Sequence, residues 1–303
     1  MQAVSPKIAI VILNWNGLSD TLECLTSLKT IVYPNYEIAV IDNGSKGNDA
    51  EIIKEKFGDF VSVIEEEKNL GFAGGSNVGI RWGLHLGAEY ILLLNNDTVV
   101  DPRFLIELVN VAQNDAQIGI VGPKVYYYGQ PTRDATAGGK VNFWTGNTPL
   151  FRKSATDDGQ LDNIAEVDFV SGCALLIKEE TIRRIGLLNE MYFAYYEETE
   201  WCIKAKKAGY KVVYVPKAKI WHKAQTRTSE LSTYYMTRNR FLFVQRNSSS
   251  FQLIVFNIFF LTTDLILQMY KKLFLKPKLF IAYLKGVRDG LCALANRKQN
   301  ERI

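Results

Sequence analysis

The chain has 303 residues, 47% hydrophobic and 22% charged, proportions that suit a globular protein and exclude disorder, collagen, coiled coil and a polytopic membrane protein as descriptions of the whole. Its net charge of +4 conceals a division. Residues 217–303 hold 16 Lys and Arg against four acids, +12, which leaves 20 basic and 28 acidic residues, −8, in residues 1–216; an acidic body and a basic tail suggest different surroundings.

Only Lys7 precedes the short apolar run Ile8–Leu13, which is too brief for an export signal and reads as a strand. Short β-rich runs then alternate with helix-period segments. Strands are predicted at Ile8–Asn14, Tyr36–Asp42, Phe60–Glu65, Tyr90–Leu94 and Ile118–Gly122. Helices are predicted at Thr21–Lys29, Asp49–Phe57, Ser76–Leu86 and Pro102–Asn114, the last capped by Asp101 with Pro102 in its first turn. Such alternation predicts an α/β fold whose strands are joined by crossover helices into a mostly parallel sheet.

Residues 123–165, rich in Gly, Thr and Asn, read as hairpins and loops. A strand follows at Val167–Ile177, a short helix at Lys178–Ile185, a helix at Glu197–Ala208 closed by Gly209, and a last strand at Tyr210–Val215 before Pro216. In the tail, Phe251–Tyr270 has the length of a membrane span. Asn257, Asp264, Gln268 and Lys271 fall on one helical face, however, and a carboxylate in mid-bilayer is costly. With the basic, apolar stretch Lys278–Asn296 it predicts two amphipathic helices that lie on an anionic membrane surface or pack on the body. Cys24, Cys173, Cys202 and Cys292 occur singly, as in a reducing compartment.

In an open α/β sheet the ligand lies beyond the carboxyl ends of the strands. Polar clusters follow four of them: Asn14-Trp15-Asn16-Gly17, Asp42-Asn43-Gly44-Ser45, Asn69-Leu70-Gly71-Phe72-Ala73-Gly74-Gly75-Ser76-Asn77 and Asn95-Asn96-Asp97. Asp97 could cap a turn or hold a divalent cation whose other ligands are phosphate and water. Asp42 could begin a turn or accept hydrogen bonds from a base or ribose. Gly71, Gly74, Gly75 and Gly79 lead into a helix whose N-terminus an anion could approach, although they form neither GxGxxG nor a P-loop. Glu197, Glu198 and Glu200 suit a first helical turn, yet the aromatic run Tyr192-Phe193-Ala194-Tyr195-Tyr196 before them would raise a carboxyl toward a general base's range. Of the two histidines, His85 reads as a surface or packing residue, and His222 as a metal ligand or a surface residue.

Taken in order from about Lys7 to Asn247, these motifs resemble the family 2 glycosyltransferases, in their rhamnosyltransferase-like branch. The resemblance implies a GT-A fold, a Rossmann-like mostly parallel central sheet flanked by helices, here with a C-terminal amphipathic helical extension. It also implies inverting transfer of a sugar from a nucleotide-diphosphate donor, assisted by Mg²⁺ or Mn²⁺. Residues 1–247 would form the catalytic domain, 1–122 its nucleotide-binding half and 123–247 its acceptor-binding half, with 248–303 a basic tail.

Position by position, Asp42 would meet the base or ribose, with Asn14 and Asn16 at the same end. Asn69, Gly71, Gly75, Asn77, Asn95 and Asn96 would complete the donor site, and Arg238, in Tyr234-Tyr235-Met236-Thr237-Arg238-Asn239, would face the diphosphate. Asp97 matches the last acid of the family's DxD motif and His222 a histidine that completes the metal site. Glu198 matches the general base, with Tyr195, Glu197, Glu200 and Trp201 as candidates for the acceptor side. Two positions depart from the pattern: Asn95 replaces the first DxD acid, and Glu198 replaces an aspartate.

The implied partners are a nucleotide-diphosphate sugar, for which the branch favours dTDP-rhamnose, a lipid-linked or polysaccharide acceptor, and a membrane surface met through residues 251–296. A homodimer is left open, and nucleic acid is not expected. The location implied is the cytoplasm, at the inner face of the cell membrane. A sugar nucleotidyltransferase would carry a Gly-rich basic loop where Asn14-Trp15-Asn16-Gly17 stands, and a non-catalytic nucleotide-sugar-binding protein would not need the acids at Glu197–Glu200.

Overall fold

The computed structural model describes residues 5–151, 161–223, 229–275 and 277–300; at 130–136, 271–275 and 294–300 it describes the backbone alone. In chain order the elements are β1 (Ile8–Asn14), α1 (Leu18–Leu28), β2 (Tyr36–Asn43), α2 (Asp49–Phe57), β3 (Ser62–Glu66), α3 (Gly71–His85), β4 (Tyr90–Asn95), β5 (Thr98–Val100), α4 (Phe104–Asn114) and β6 (Ile118–Tyr127). There follow β7 (Gln130–Thr136), β8 (Ala165–Glu166), β9 (Ala174–Lys178), α5 (Glu179–Ile185), α6 (Glu197–Lys207), β10 (Lys211–His222) and α7 (Glu230–Asn247). The tail comprises α8 (Ser250–Phe259), a π-helical turn Phe260–Asp264, α9 (Leu265–Leu275) and α10 (Pro277–Asn300). Of the segment expected as hairpins and loops, 152–160 lies outside the described residues.

The main sheet runs β3-β2-β1-β4-β9-β6-β10-β5. Its first four strands are parallel, as expected for crossover connections. Beyond them β9 lies antiparallel to both β4 and β6, and β5 antiparallel to β10, so the sheet as a whole is mixed. Alternation along β1 shows how it is buried on both faces: Ile8, Ile10 and Ile12 pack with α1, α2 and α4, whereas Ala9 and Val11 pack with α3, α5 and α6.

The glycines of α3 answer to this packing. A Cβ on Gly75 would lie 2.4 Å from Leu13, one on Gly79 2.1 Å from Val11, and one on Gly83 2.6 Å from Ala9. Spaced four apart, they form the face on which the helix meets β1. The helix therefore starts at Gly71, not at Ser76, and Gly75 is a packing residue inside it, not a phosphate contact.

Two further differences position the site. Pro216, which lacks an N–H, interrupts β10 without ending it: the register against β6 shifts between Val215 and Lys219, and the strand continues to His222. The helix α7, which the sequence pattern did not indicate, carries the Tyr234–Asn239 segment.

The tail packs on the body. Phe256 and Phe260 join Tyr192, Tyr196, Ile203 and Phe241 in a third core, to which α10 adds Tyr283 and Val287. Gly286 and Gly290 let α10 approach α7, since a Cβ at Gly286 would lie 2.7 Å from the Tyr234 carbonyl. The polar face expected on Phe251–Tyr270 proves to be turned inward at Asp264, which is buried and paired with Arg240 at 2.9 Å. Gln268 is partly buried, and the Lys271 side chain lies outside the description. Phe251, Ile254, Ile258, Leu261 and Ile266 are exposed instead.

Candidate active site

At the carboxyl ends of β1 and β2, Asn14 and Asp42 are register partners. Asn14 is fully buried: its amide Nδ2 donates to Asp42 Oδ1 (2.8 Å) and Asp49 Oδ2 (3.0 Å), and its Oδ1 accepts from Thr21 Oγ1 (2.7 Å). It orients Asp42 from behind and is not itself open to a ligand. Asn16, at φ 52°, is exposed and its side-chain oxygen accepts from the Lys46 N–H, pinning the turn that holds Ser45. Asn43 fastens the next segment, donating to Asn69 Oδ1 and the Gly71 carbonyl and accepting from the Leu70 N–H.

Several other expected donor contacts prove structural. Gly71 has φ +75°, and a Cβ there would lie 2.4 Å from the Phe193 carbonyl, so its freedom serves the seating of that loop. Asn77 is buried, donating to the Leu188 carbonyl and Glu190 Oε1, and belongs to the packing between helix and loop. Asn96 donates to Thr21 Oγ1 (2.9 Å), tying the β4 end to α1. Arg238 donates to the carbonyls of Met191 and Tyr192, both at 2.7 Å, with its guanidinium 4.9 Å from the Tyr235 ring. These contacts engage one edge of the guanidinium with the 191–192 backbone.

Asp97 and His222 meet. The continuation of β10 past Pro216 sets His222 opposite Thr98 of β5, and His222 Nε2 lies 3.0 Å from Asp97 Oδ1. Burial opposes ionisation of Asp97, but the hydrogen bond and charge of His222 outweigh it and hold the carboxyl below the usual aspartate range. Lys223, next in the chain, fixes the strand end through Asp20 (2.6 Å) and Glu23 (2.5 Å) of α1. A carboxylate oxygen and an imidazole nitrogen 3.0 Å apart suit adjacent positions on an octahedral cation, whose ligands at about 2.1 Å stand about 3 Å from one another. Among the described residues no group of three or more His, Cys, Asp or Glu surrounds such a position, so diphosphate and water would have to complete the shell.

His222 and Glu198 line one cavity of about 630 Å³, with Tyr127, Thr148, Leu150, Ser171, Tyr195 and Met236 among the other walls. Glu198 stands in the first turn of α6, and burial raises its carboxyl above the usual glutamate range. Gly172 leaves space beside it: a Cβ there would lie 3.2 Å from Glu198 Cγ.

The neighbouring candidates divide. Tyr195 is exposed on the cavity wall. Glu197 is buried, its Oε2 has no hydrogen-bond partner among the described residues, and it does not line the cavity. Glu200 points the other way and accepts from Tyr192, Arg246 and Asn247. Burial would raise it, but Lys204 and Arg246 hold it below the usual range. Trp201 is a core residue whose Nε1–H donates to the Gly186 carbonyl. Neither Glu200 nor Trp201 faces an acceptor. Sequence reasoning missed Tyr127, an aromatic residue at the end of β6, and Thr148 and Ser171, small polar positions in irregular segments; none of the three carries a spacing signal.

Residues 6–241 match the family described as glycosyltransferase like family 2. The chain belongs to this family. It is therefore a sugar-transferring enzyme, in agreement with the resemblance of its motifs. Among its relatives are the low-salt glycan biosynthesis hexosyltransferase Agl10 of Haloferax volcanii, 28% identical over 80% of this chain and 76% of the relative, and the dTDP-rhamnosyl transferase RfbF of Shigella flexneri, 27% identical over 94% and 97%. The fold resembles that of the mannosyltransferase PcManGT of Pyrobaculum calidifontis, solved with GDP-Man and Mn²⁺, at a TM-score of 0.61 and 14% identity over 95% of this chain and 88% of that one. It also resembles TarS 1–349 of S. aureus, at 0.59 and 16% over 96% and 82%. Family 2 glycosyltransferase and GT-A fold thus both stand.

Proposed function

We propose that this enzyme transfers a sugar, with inversion, from a nucleoside-diphosphate donor at the Asp42–Asp97 side of the site to an acceptor hydroxyl in the cavity at Glu198. The observation that carries the reading is that Glu198 shares its cavity with His222, the partner of Asp97. A base and a leaving-group site that meet in one space are what a single displacement requires.

Glu198 takes the proton of the acceptor hydroxyl while that oxygen bonds to the anomeric carbon. The bond from that carbon to the diphosphate oxygen breaks, the nucleoside diphosphate departs with the electron pair, and the configuration inverts. Asp42, steered by Asn14 and Ser45, receives the base or ribose. Asp97 and His222 would hold Mg²⁺ or Mn²⁺, which supplies positive charge to the departing diphosphate. With Asn95 in place of an acid, the protein brings one carboxylate to that charge balance.

The relation to a dTDP-rhamnosyl transferase along nearly the whole chain supports dTDP-rhamnose as the donor. A lipid-linked or polysaccharide acceptor accords with the glycan-biosynthesis relative. The exposed apolar stripe of α8 and α9 supports attachment to the inner face of the cell membrane.

The test is a panel of nucleotide-sugars offered to the purified full-length chain with Mg²⁺ or Mn²⁺, reading ligand-induced thermal stabilisation and then the anomeric configuration of the product by NMR. Stabilisation by a nucleoside-diphosphate sugar and an inverted product are expected. Retention of configuration, or no response to any nucleotide-sugar, would overturn the reading.

A further inference from the structure

The loop that delivers Glu198 is strained. Phe193, Tyr195 and Tyr196 have φ of 64°, 70° and 77°, values that cost a non-glycine residue on the order of 1–3 kcal/mol each and persist only where the surroundings enforce them. Tyr196 is the residue before α6, and no side chain caps that helix. The direction of Glu198 is therefore set by the loop's backbone.

What enforces the loop is a pair of adjacent residues on α7. Asn239, fully buried, places its amide nitrogen 2.9 Å from the Tyr192 carbonyl, 2.7 Å from that of Ala194 and 2.8 Å from that of Tyr195. Its two N–H groups are thus shared among three carbonyls of the loop, of which that of Tyr192 also accepts the Ala194 N–H. Arg238 adds bonds to the Met191 and Tyr192 carbonyls. The Phe193 ring also stacks on Tyr235 of α7 at 5.0 Å, and from α3 the Ala73 N–H donates to the Phe193 carbonyl.

We propose that Arg238 and Asn239 are positioning residues that clamp residues 191–196 so that Glu198 is aimed into the cavity. The pair acts on the base and leaves donor binding alone. The inference rests on Glu198 being the base.

The experiment uses the full-length enzyme with Asn239→Ala, Arg238→Met, Glu198→Gln and the double variant Asn239→Ala/Glu198→Gln. Donor affinity is read by calorimetry and transfer by kcat. Loss of the clamp is expected to lower kcat about 100-fold, the scale of a misplaced catalytic group, with donor Kd within about twofold. The double variant should be no slower than Glu198→Gln alone, because a clamp has nothing to aim once the base is gone. A merely structural role would leave the two losses additive, and additivity overturns the clamp. So does a donor Kd that worsens in step with kcat, as for a cation facing the diphosphate, or an unchanged kcat. If Asn239→Ala does not fold, Arg238→Met, which keeps the buried amide, decides by the same measures, alone and combined with Glu198→Gln. A wild type that binds no nucleotide-sugar defeats the proposed function, and a normal Glu198→Gln defeats the base; neither result resembles failure of the clamp alone.

Discussion

Glu197 and Glu198 are consecutive in the first turn of α6 yet face different surroundings, and the difference is measurable. Glu198 opens on the cavity, and its raised carboxyl must be ionised to accept a proton. The acid limb of kcat should therefore lie above the ordinary glutamate range, activity falling as pH drops through the raised value, and Glu198→Gln should cost about 1000-fold in kcat without lowering the thermal midpoint. A limb at ordinary glutamate pH, or near-normal turnover of Glu198→Gln, would contradict the assignment. Glu197 is raised further, by burial and then by the charge of Glu198, and one oxygen has no hydrogen-bond partner among the described residues. Its folded value exceeds its unfolded one, so its contribution to stability is intact at acid pH and lost as pH rises through the folded value. Glu197→Gln should thus raise the thermal midpoint at neutral and alkaline pH and converge on wild type below pH ~4; a gap that does not widen with pH would refute this. The motif pointed to acids at this helix start. Which one faces the cavity was not legible, because it depends on the left-handed turns of Tyr195 and Tyr196, conformations that sequence preferences disfavour.

At the scale of elements, β1, β2, β4 and the helices between them were readable because a buried parallel strand is a continuous apolar run bounded by turns. Two readings failed for physical reasons. The glycine-rich start of α3 looked like an anion cradle, but the same residues allow a helix to lie on a strand, and only the Gly75, Gly79, Gly83 spacing against Leu13, Val11 and Ala9 separates the two. The strand before His222 was ended at Pro216, whereas a bulge carries it on and so brings His222 to Asp97. The helix–strand contact makes a prediction. A methyl at Gly79 would meet Val11 Cγ1 at 2.1 Å, so Gly79→Ala should destabilise by about 1–3 kcal/mol in urea unfolding. Val11→Ala in the same chain should recover part of that loss; strict additivity of the two changes would show that the contact does not determine the helix position.

At the scale of the whole molecule, the charge asymmetry and the exposed stripe combine. The acidic body holds Asp42, Asp97 and Glu198, while on the tail Lys278, Lys285 and Arg288 lie on the exposed side of α10, near Ile281 and Leu284. Ser250–Tyr270, at mean hydropathy 1.7, is long and apolar enough to cross a bilayer. Phe256, Phe260 and Asp264 tie it to the body, however, through the third core and Arg240, leaving Phe251, Ile254, Ile258 and Leu261 outward. A helix held on one side and apolar on the other suits the plane of a membrane better than its thickness. Removing the tail would not test this cleanly, because α10 covers Phe241 and Tyr234 of α7, and truncation would strip the helix that carries Arg238 and Asn239. Point changes on the outward face avoid that damage. With each cation near an anionic surface contributing about 1 kcal/mol, Lys278→Glu/Lys285→Glu/Arg288→Glu should weaken flotation with phosphatidylglycerol vesicles by about 100-fold or more, and added salt should weaken the wild type. Ile254→Glu/Ile258→Glu should lower partition without lowering the thermal midpoint, since those side chains touch little of the fold. Equal binding of wild type and both variants, or indifference to lipid charge, would assign the stripe to a protein partner instead.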